Sequence, residues 1–124
     1  MKNLVLKAYV CVPLYEQHVW LYAARDPVKT YYRIAKKFKH KPDDGPFQAI
    51  SITDDVNQHA MLFYAGSVSE NDIAHEIKHI ADFIMDATGR KTCEKCRDEP
   101  TAYLVGYLAV WAKKKLKRAG VKVQ

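Results

Sequence analysis

The chain contains no apolar run approaching the roughly 20 residues that a membrane-spanning helix requires, so no such span is expected. Its opening, MKNLVLK, does not read as a signal peptide, because Lys7 interrupts the apolar stretch early. The expected compartment is therefore the cytoplasm that makes the protein. Cysteine is scarce: three residues, an odd number, which argues against a disulfide scaffold. There is no internal repeat and no low-complexity segment. A length of 124 residues gives one domain a real core and leaves no room for a second.

What is present reads as globular, with 48% hydrophobic and 27% charged residues. The net charge of +6 is uneven, clustering between Lys29 and Lys41 and again from Lys113 to Lys122. Either cluster could meet nucleic acid or an acidic partner. The simpler reading is a solvated helix face and a basic last turn that complements the helix dipole.

The pattern predicts an α+β domain over residues 1–124, with about four strands and its chemistry in the C-terminal half. Leu4 to Val12 alternates apolar and polar and ends at Pro13, which predicts a strand. His18 to Ala24 is a second. Asp26 as N-cap and Pro27 at the first helical position open a helix to about Phe38. A loop by composition follows at Lys41–Pro46. Phe47–Thr53 and Ala60–Ala65 read as two further strands. Ser69 is a good N-cap, with Glu70 and Asp72 in the first turn. The helix behind it aligns Ile73, Ile77, Ile80 and Ile84 and is expected to pack that stripe on the sheet, with its histidines on the other side. Gly89 is a plausible stop. Asp98 caps a last helix to about Arg118.

Within the Ser69 helix stands His75-Glu76-Ile77-Lys78-His79, an HExxH motif. Histidines at i and i+4 share one helix face and can reach one metal ion. Glu76 then stands where it could take a proton from a water at that ion. A catalytic zinc commonly takes three protein ligands. Glu99, at the start of the last helix, is the candidate third, since helices joined by about ten residues fold back as neighbours. Ala102 and Gly106 would let the two backbones approach.

HEIKH followed by a glutamate on the next helix resembles the gluzincin branch of the zinc metallopeptidases. IAHEIKHIADFI with DEPTAYLVGYL is similar, more narrowly, to the short zinc peptidases of tailed bacteriophages and prophages. The resemblance covers roughly residues 69–110. It implies a minimal zincin-like domain that hydrolyses peptide bonds, in the host cytoplasm if phage-encoded. It further implies zinc ligation by His75, His79 and Glu99, with Glu76 as general base. Zinc would polarise the scissile carbonyl. The strand Ala60–Ala65 would be the edge that holds an extended peptide by main-chain hydrogen bonds.

The sequence departs from that branch one turn after the glutamate, where a histidine-orienting aspartate is replaced by Tyr103. Tyr103 could hydrogen-bond a ligand or the oxyanion, or could belong to the core. Cys93-x-x-Cys96 is a rival donor pair. With His75 and His79 it would complete a closed structural Cys2His2 site, leaving Glu76 without a role. The alternative function is thus a non-catalytic, zinc-stabilised binding protein acting on a host protein or nucleic acid. Cys11 reads as a buried small hydrophobe. His18, His40 and His59 read as structural or solvated. Asp82 and Asp86 share the histidine face as solvated groups or partners of the ligands.

Overall fold

The computed structural model describes residues 2–12, 16–39, 48–54, 56–87 and 99–124, with backbone alone at residues 87, 99 and 100. Four strands and three helices run in the order β1 (Leu4–Val12), β2 (Gln17–Ala24), α1 (Pro27–Lys37), β3 (Ala49–Thr53), β4 (Gln58–Tyr64), α2 (Glu70–Ala87) and α3 (Glu99–Arg118). The fold is α+β, as the patterning predicts. The sheet order is β1-β2-β4-β3. β1 pairs antiparallel with β2, β2 parallel with β4, and β3 antiparallel with β4. No helix among the described residues is long and apolar enough to cross a membrane.

Helices cover both faces of this sheet. Because strand side chains alternate, Val19, Leu21 and Ala23 of β2 point to one side with Met61 and Phe63 of β4, and meet Ile73, Ile77, Ile80 and Ile84 of α2 and Leu104, Leu108, Ala112 and Leu116 of α3. The four isoleucines are fully buried, as their spacing predicts. Each contributes about 1.5–3 kcal/mol by leaving water. On the opposite side, Tyr22, Ala24, Ala60 and Leu62 pack on Tyr31, Ile34, Ala35 and Phe38 at α1.

Local chemistry sets the helix ends. Asp26 caps α1, its side chain accepting from the Lys29 amide at 3.2 Å. Ser69 caps α2, accepting from the Asp72 amide at 2.9 Å. Past α3, Gly120 takes φ +82°. The Gly120 amide then reaches the Lys117 carbonyl and the Val121 amide the Leu116 carbonyl, each at 3.0 Å. That is a Schellman closure, which favours glycine at the left-handed position. The chain after it returns to α2: the Val68 amide donates to the Lys122 carbonyl and the Gln124 amide to the Val68 carbonyl, both at 2.8 Å.

Three expectations are corrected. The fourth strand is not an edge: β4 lies between β2 and β3, and the edges are β1 and β3. The parallel β2–β4 pairing skips β3 in sequence, which local patterning does not show. Cys11 is exposed rather than buried, because it alternates with Lys7 and Tyr9 on the α1 side of an edge strand. The histidines of α2 are exposed, away from the isoleucine stripe as expected, yet His79 does not turn away from the sheet. His79 shares a small cavity with Ser51, Ile52 and Thr53 of β3. The helix lies along the sheet margin, so its exposed side borders the edge strand. Gly89, Cys93, Cys96, Asp98 and His40 lie outside the described residues.

Candidate metal centre

The site starts from helix periodicity. Ile73, Ile77, Ile80 and Ile84 anchor one side of α2, and this rotation sets His75 and His79 at the solvent margin with Glu76 facing inward. The His75 and His79 rings meet edge to face, with centroids 4.6 Å apart. Their Nε2 atoms are 3.1 Å apart. Two nitrogens bound to one tetrahedral zinc at 2.0–2.1 Å would stand about 3.3 Å apart, so the pair matches a shared ion without rearrangement. Among the described residues, His75, Glu76 and His79 form the one trio whose ligand atoms all lie within 4.8 Å of one another. The donor chemistry, two imidazoles and a carboxylate, suits zinc.

Glu76 differs from its neighbours in environment. Its side chain is only 6% exposed. Burial raises its carboxyl above the ordinary glutamate value and nearby Asp72 pushes the same way, while a hydrogen bond from Ser51 and the two histidines oppose the shift. A carboxyl tuned upward and held beside two histidines is better suited to accept a proton than a solvated glutamate. Sequence spacing places Glu76 at this site but not its partner, since Ser51 arrives from β3.

Behind the histidines lies a cavity of about 50 Å³ lined by Ser51, Thr53, His59, His79, Ile80 and Phe83 among others. His59 is fully buried there, so its reading as structural holds and solvation is excluded. Its Nε2 lies 2.7 Å from Gln17 Oε1, which fixes that nitrogen as the donor. Nδ1 is then the acceptor and has no hydrogen-bond partner. Burial lowers the His59 pKa to about 4, with Asp54 opposing and His18 adding to the shift. His18 sits on the other side of the sheet, bonded to the Tyr9 hydroxyl. Asp82 pairs with Lys78 rather than with His75 or His79.

Glu99 is the first residue of α3, and α3 packs along α2. The Glu99 side chain lies outside the described residues. Tyr103, four residues on, is 76% exposed, so it is not core, and it hydrogen-bonds to no described residue. The structure thus brings together His75, Glu76 and His79. Ser51 and His59 join them without any signal in the linear pattern. Compared with protein-family models, curated proteins and solved structures, the chain matches none.

Proposed function

We propose that the protein is a zinc-dependent peptidase acting on a peptide or protein substrate in the cytoplasm, with a gluzincin-like centre of His75, His79 and Glu99. The observation that carries this reading is the pair of Nε2 atoms at 3.1 Å with buried Glu76 beside them. Zinc held there would polarise the scissile carbonyl and acidify an attacking water. Glu76 takes the proton of that water and passes it to the leaving amine. Ser51 holds its carboxylate in place. Burial keeps Glu76 more basic than a solvated carboxylate. Among the described strands β3 is an edge and borders the site, so it, and not β4, takes an extended substrate. Tyr103 is the candidate donor to the developing oxyanion.

The test joins metal analysis to cleavage of a broad peptide library. Wild type should bind one zinc per chain and His79→Ala should lose it, while Cys93→Ser with Cys96→Ser should keep it. Glu76→Gln should retain zinc and lose about 10²–10⁴-fold in rate. Metal loss in the double cysteine variant would favour a closed structural site. Equal cleavage by wild type and Glu76→Gln would remove Glu76 from the chemistry.

A further inference from the structure

Among the described residues, α1 covers only part of the sheet face that carries it. α1 has 11 residues and spans about 16 Å, whereas β1 has nine and spans about 30 Å. The helix packs on Tyr22, Ala24, Ala60 and Leu62. At the far end of β1 and β2, the cross-strand pairs Tyr9–Trp20 and Cys11–His18 lie on the same face, with Trp20 partly buried against the end of α1. Three rings form a row there. Tyr9 and Trp20 have centroids 4.7 Å apart, and Tyr9 stacks on His18 at 5.7 Å with only 17° between planes. Neighbours fix these rings: Trp20 Nε1 donates to Gln58 Oε1 at 3.0 Å, and the Tyr9 hydroxyl meets His18 Nδ1. Tyr9 is nevertheless 45% exposed.

Cations converge on the same rings. Lys7 of β1 and Lys37 of α1 each place Nζ 5.4 Å from the Trp20 centroid. Lys37 also lines two hollows. One, of about 440 Å³, includes Trp20, Lys39, Asp54 and Gln58. The other, of about 600 Å³, includes Lys2, Lys7, Thr30 and Arg33. No ion pair among the described residues engages Lys2, Lys7, Arg33, Lys37 or Lys39. The one carboxylate that the described residues contribute to these linings is Asp54, which lines the first. Its Oδ1 accepts from the amides of Val56, Asn57 and Gln58 at 2.9, 3.0 and 2.9 Å.

We infer that this open face binds single-stranded nucleic acid, with bases stacking on Tyr9 and Trp20 and phosphates meeting Lys7, Lys37 and the lysines of the flanking hollows. A row of immobilised rings flanked by cations that no described carboxylate pairs fits a polymer that alternates flat π faces with negative charge. A duplex hides its base faces from a sheet surface. An acidic peptide matches the charge but gives the rings nothing to stack on. None of the contacts proposed reads a sugar hydroxyl, so DNA and RNA strands should bind alike.

The test is anisotropy titration with fluorescein-labelled oligothymidylate and oligouridylate of about 12 nucleotides, a length within the site sizes of known single-strand platforms. Both should bind. Affinity should fall roughly 20- to 50-fold between about 50 and 200 mM salt, as three or four phosphate contacts on a single strand require. Tyr9→Ala should weaken binding roughly 5- to 100-fold, since each stacked base contributes that much, and Tyr9→Phe should restore most of it. In a Trp111→Phe background, Trp20 emission should be quenched on binding. Lys7→Glu with Lys37→Glu should abolish binding at the lower salt while leaving the circular dichroism spectrum unchanged. No binding to either strand at about 50 mM salt overturns the inference. So does polyglutamate binding as tight as the oligonucleotides with no loss in Tyr9→Ala, which would make this a surface for acidic protein.

Discussion

The two faces of the sheet share strands and are finished differently. On the α2–α3 side, two long helices seal a continuous apolar layer that includes Leu21, Phe63, Ile77 and Leu108. The groups of the candidate metal centre sit at the margin of that layer, where burial raises the Glu76 carboxyl and lowers the His59 imidazole. On the α1 side, among the described residues, one short helix covers part of the face, and Tyr9 stays exposed beside the partly buried Trp20. Complete cover supplies rigidity and a low local dielectric, which proton-transfer chemistry uses. Partial cover supplies exposed rings and solvated cations, which a flexible polyanion uses.

The sharpest way to break this contrast is core truncation. Ile77→Ala, in the sealed layer, should cost about 2–5 kcal/mol. Tyr9→Ala, on the open face, should cost about 1 kcal/mol or less, as substitutions at exposed positions do. Urea unfolding of the two variants measures both. Similar losses would mean that the open face is stabilised as the sealed one is, and the contrast would fail.

Acid should act through the sealed side. The His59 pKa is lowered by burial to about 4 in the folded chain, from the ordinary 6.5. As pH falls below 6.5 the unfolded chain takes up a proton that the folded chain refuses until about pH 4. Stability should therefore fall across that window, by on the order of 3 kcal/mol, and level off below it. Unfolding midpoints at neutral pH and near the lower end of the window, in wild type and His59→Gln, give the check. The variant should lose less on acidification. An equal loss in both would assign the acid sensitivity to other groups.

The smallest effect expected is at the end of α3, outside both faces. Gly120→Ala places a Cβ at φ +82° with open space around it. The cost is backbone strain alone, about 1 kcal/mol. Calorimetry should register a melting shift of a few degrees. A shift as large as that of Ile77→Ala would show that the Schellman closure also holds the returning chain against Val68.

Much of the fold was legible where the signal is local. Alternation marks a strand from about Leu4 to Val12, where β1 lies. Asp26-Pro27 marks the start of α1, and the isoleucine spacing marks both α2 and its buried side. The histidine pair was legible for the same reason: one helical turn brings His75 and His79 together whatever the rest of the chain does. Alternation does not say which side of a strand is covered, so it does not reveal that Cys11 is exposed. Ser51 and His59 went unrecognised as site residues because their nearness to α2 depends on strand order. Likewise, Lys7 and Lys37 are 30 positions apart in the chain, and only the sheet and α1 together bring both to Trp20.

By itself, then, the sequence determined the elements, their caps, the stripe that buries α2 and the one-turn spacing of His75 and His79 on its exposed side. All of these follow from backbone geometry over a few residues. Tertiary structure alone decided that β3 and not β4 is the edge, that Glu76 is buried against Ser51, that His59 is sealed behind His79, and that one end of the α1 face stays open. Those outcomes depend on which distant segments pair and how far each helix reaches. Pairing and reach are settled by competition for burial across the whole chain, which no local window contains.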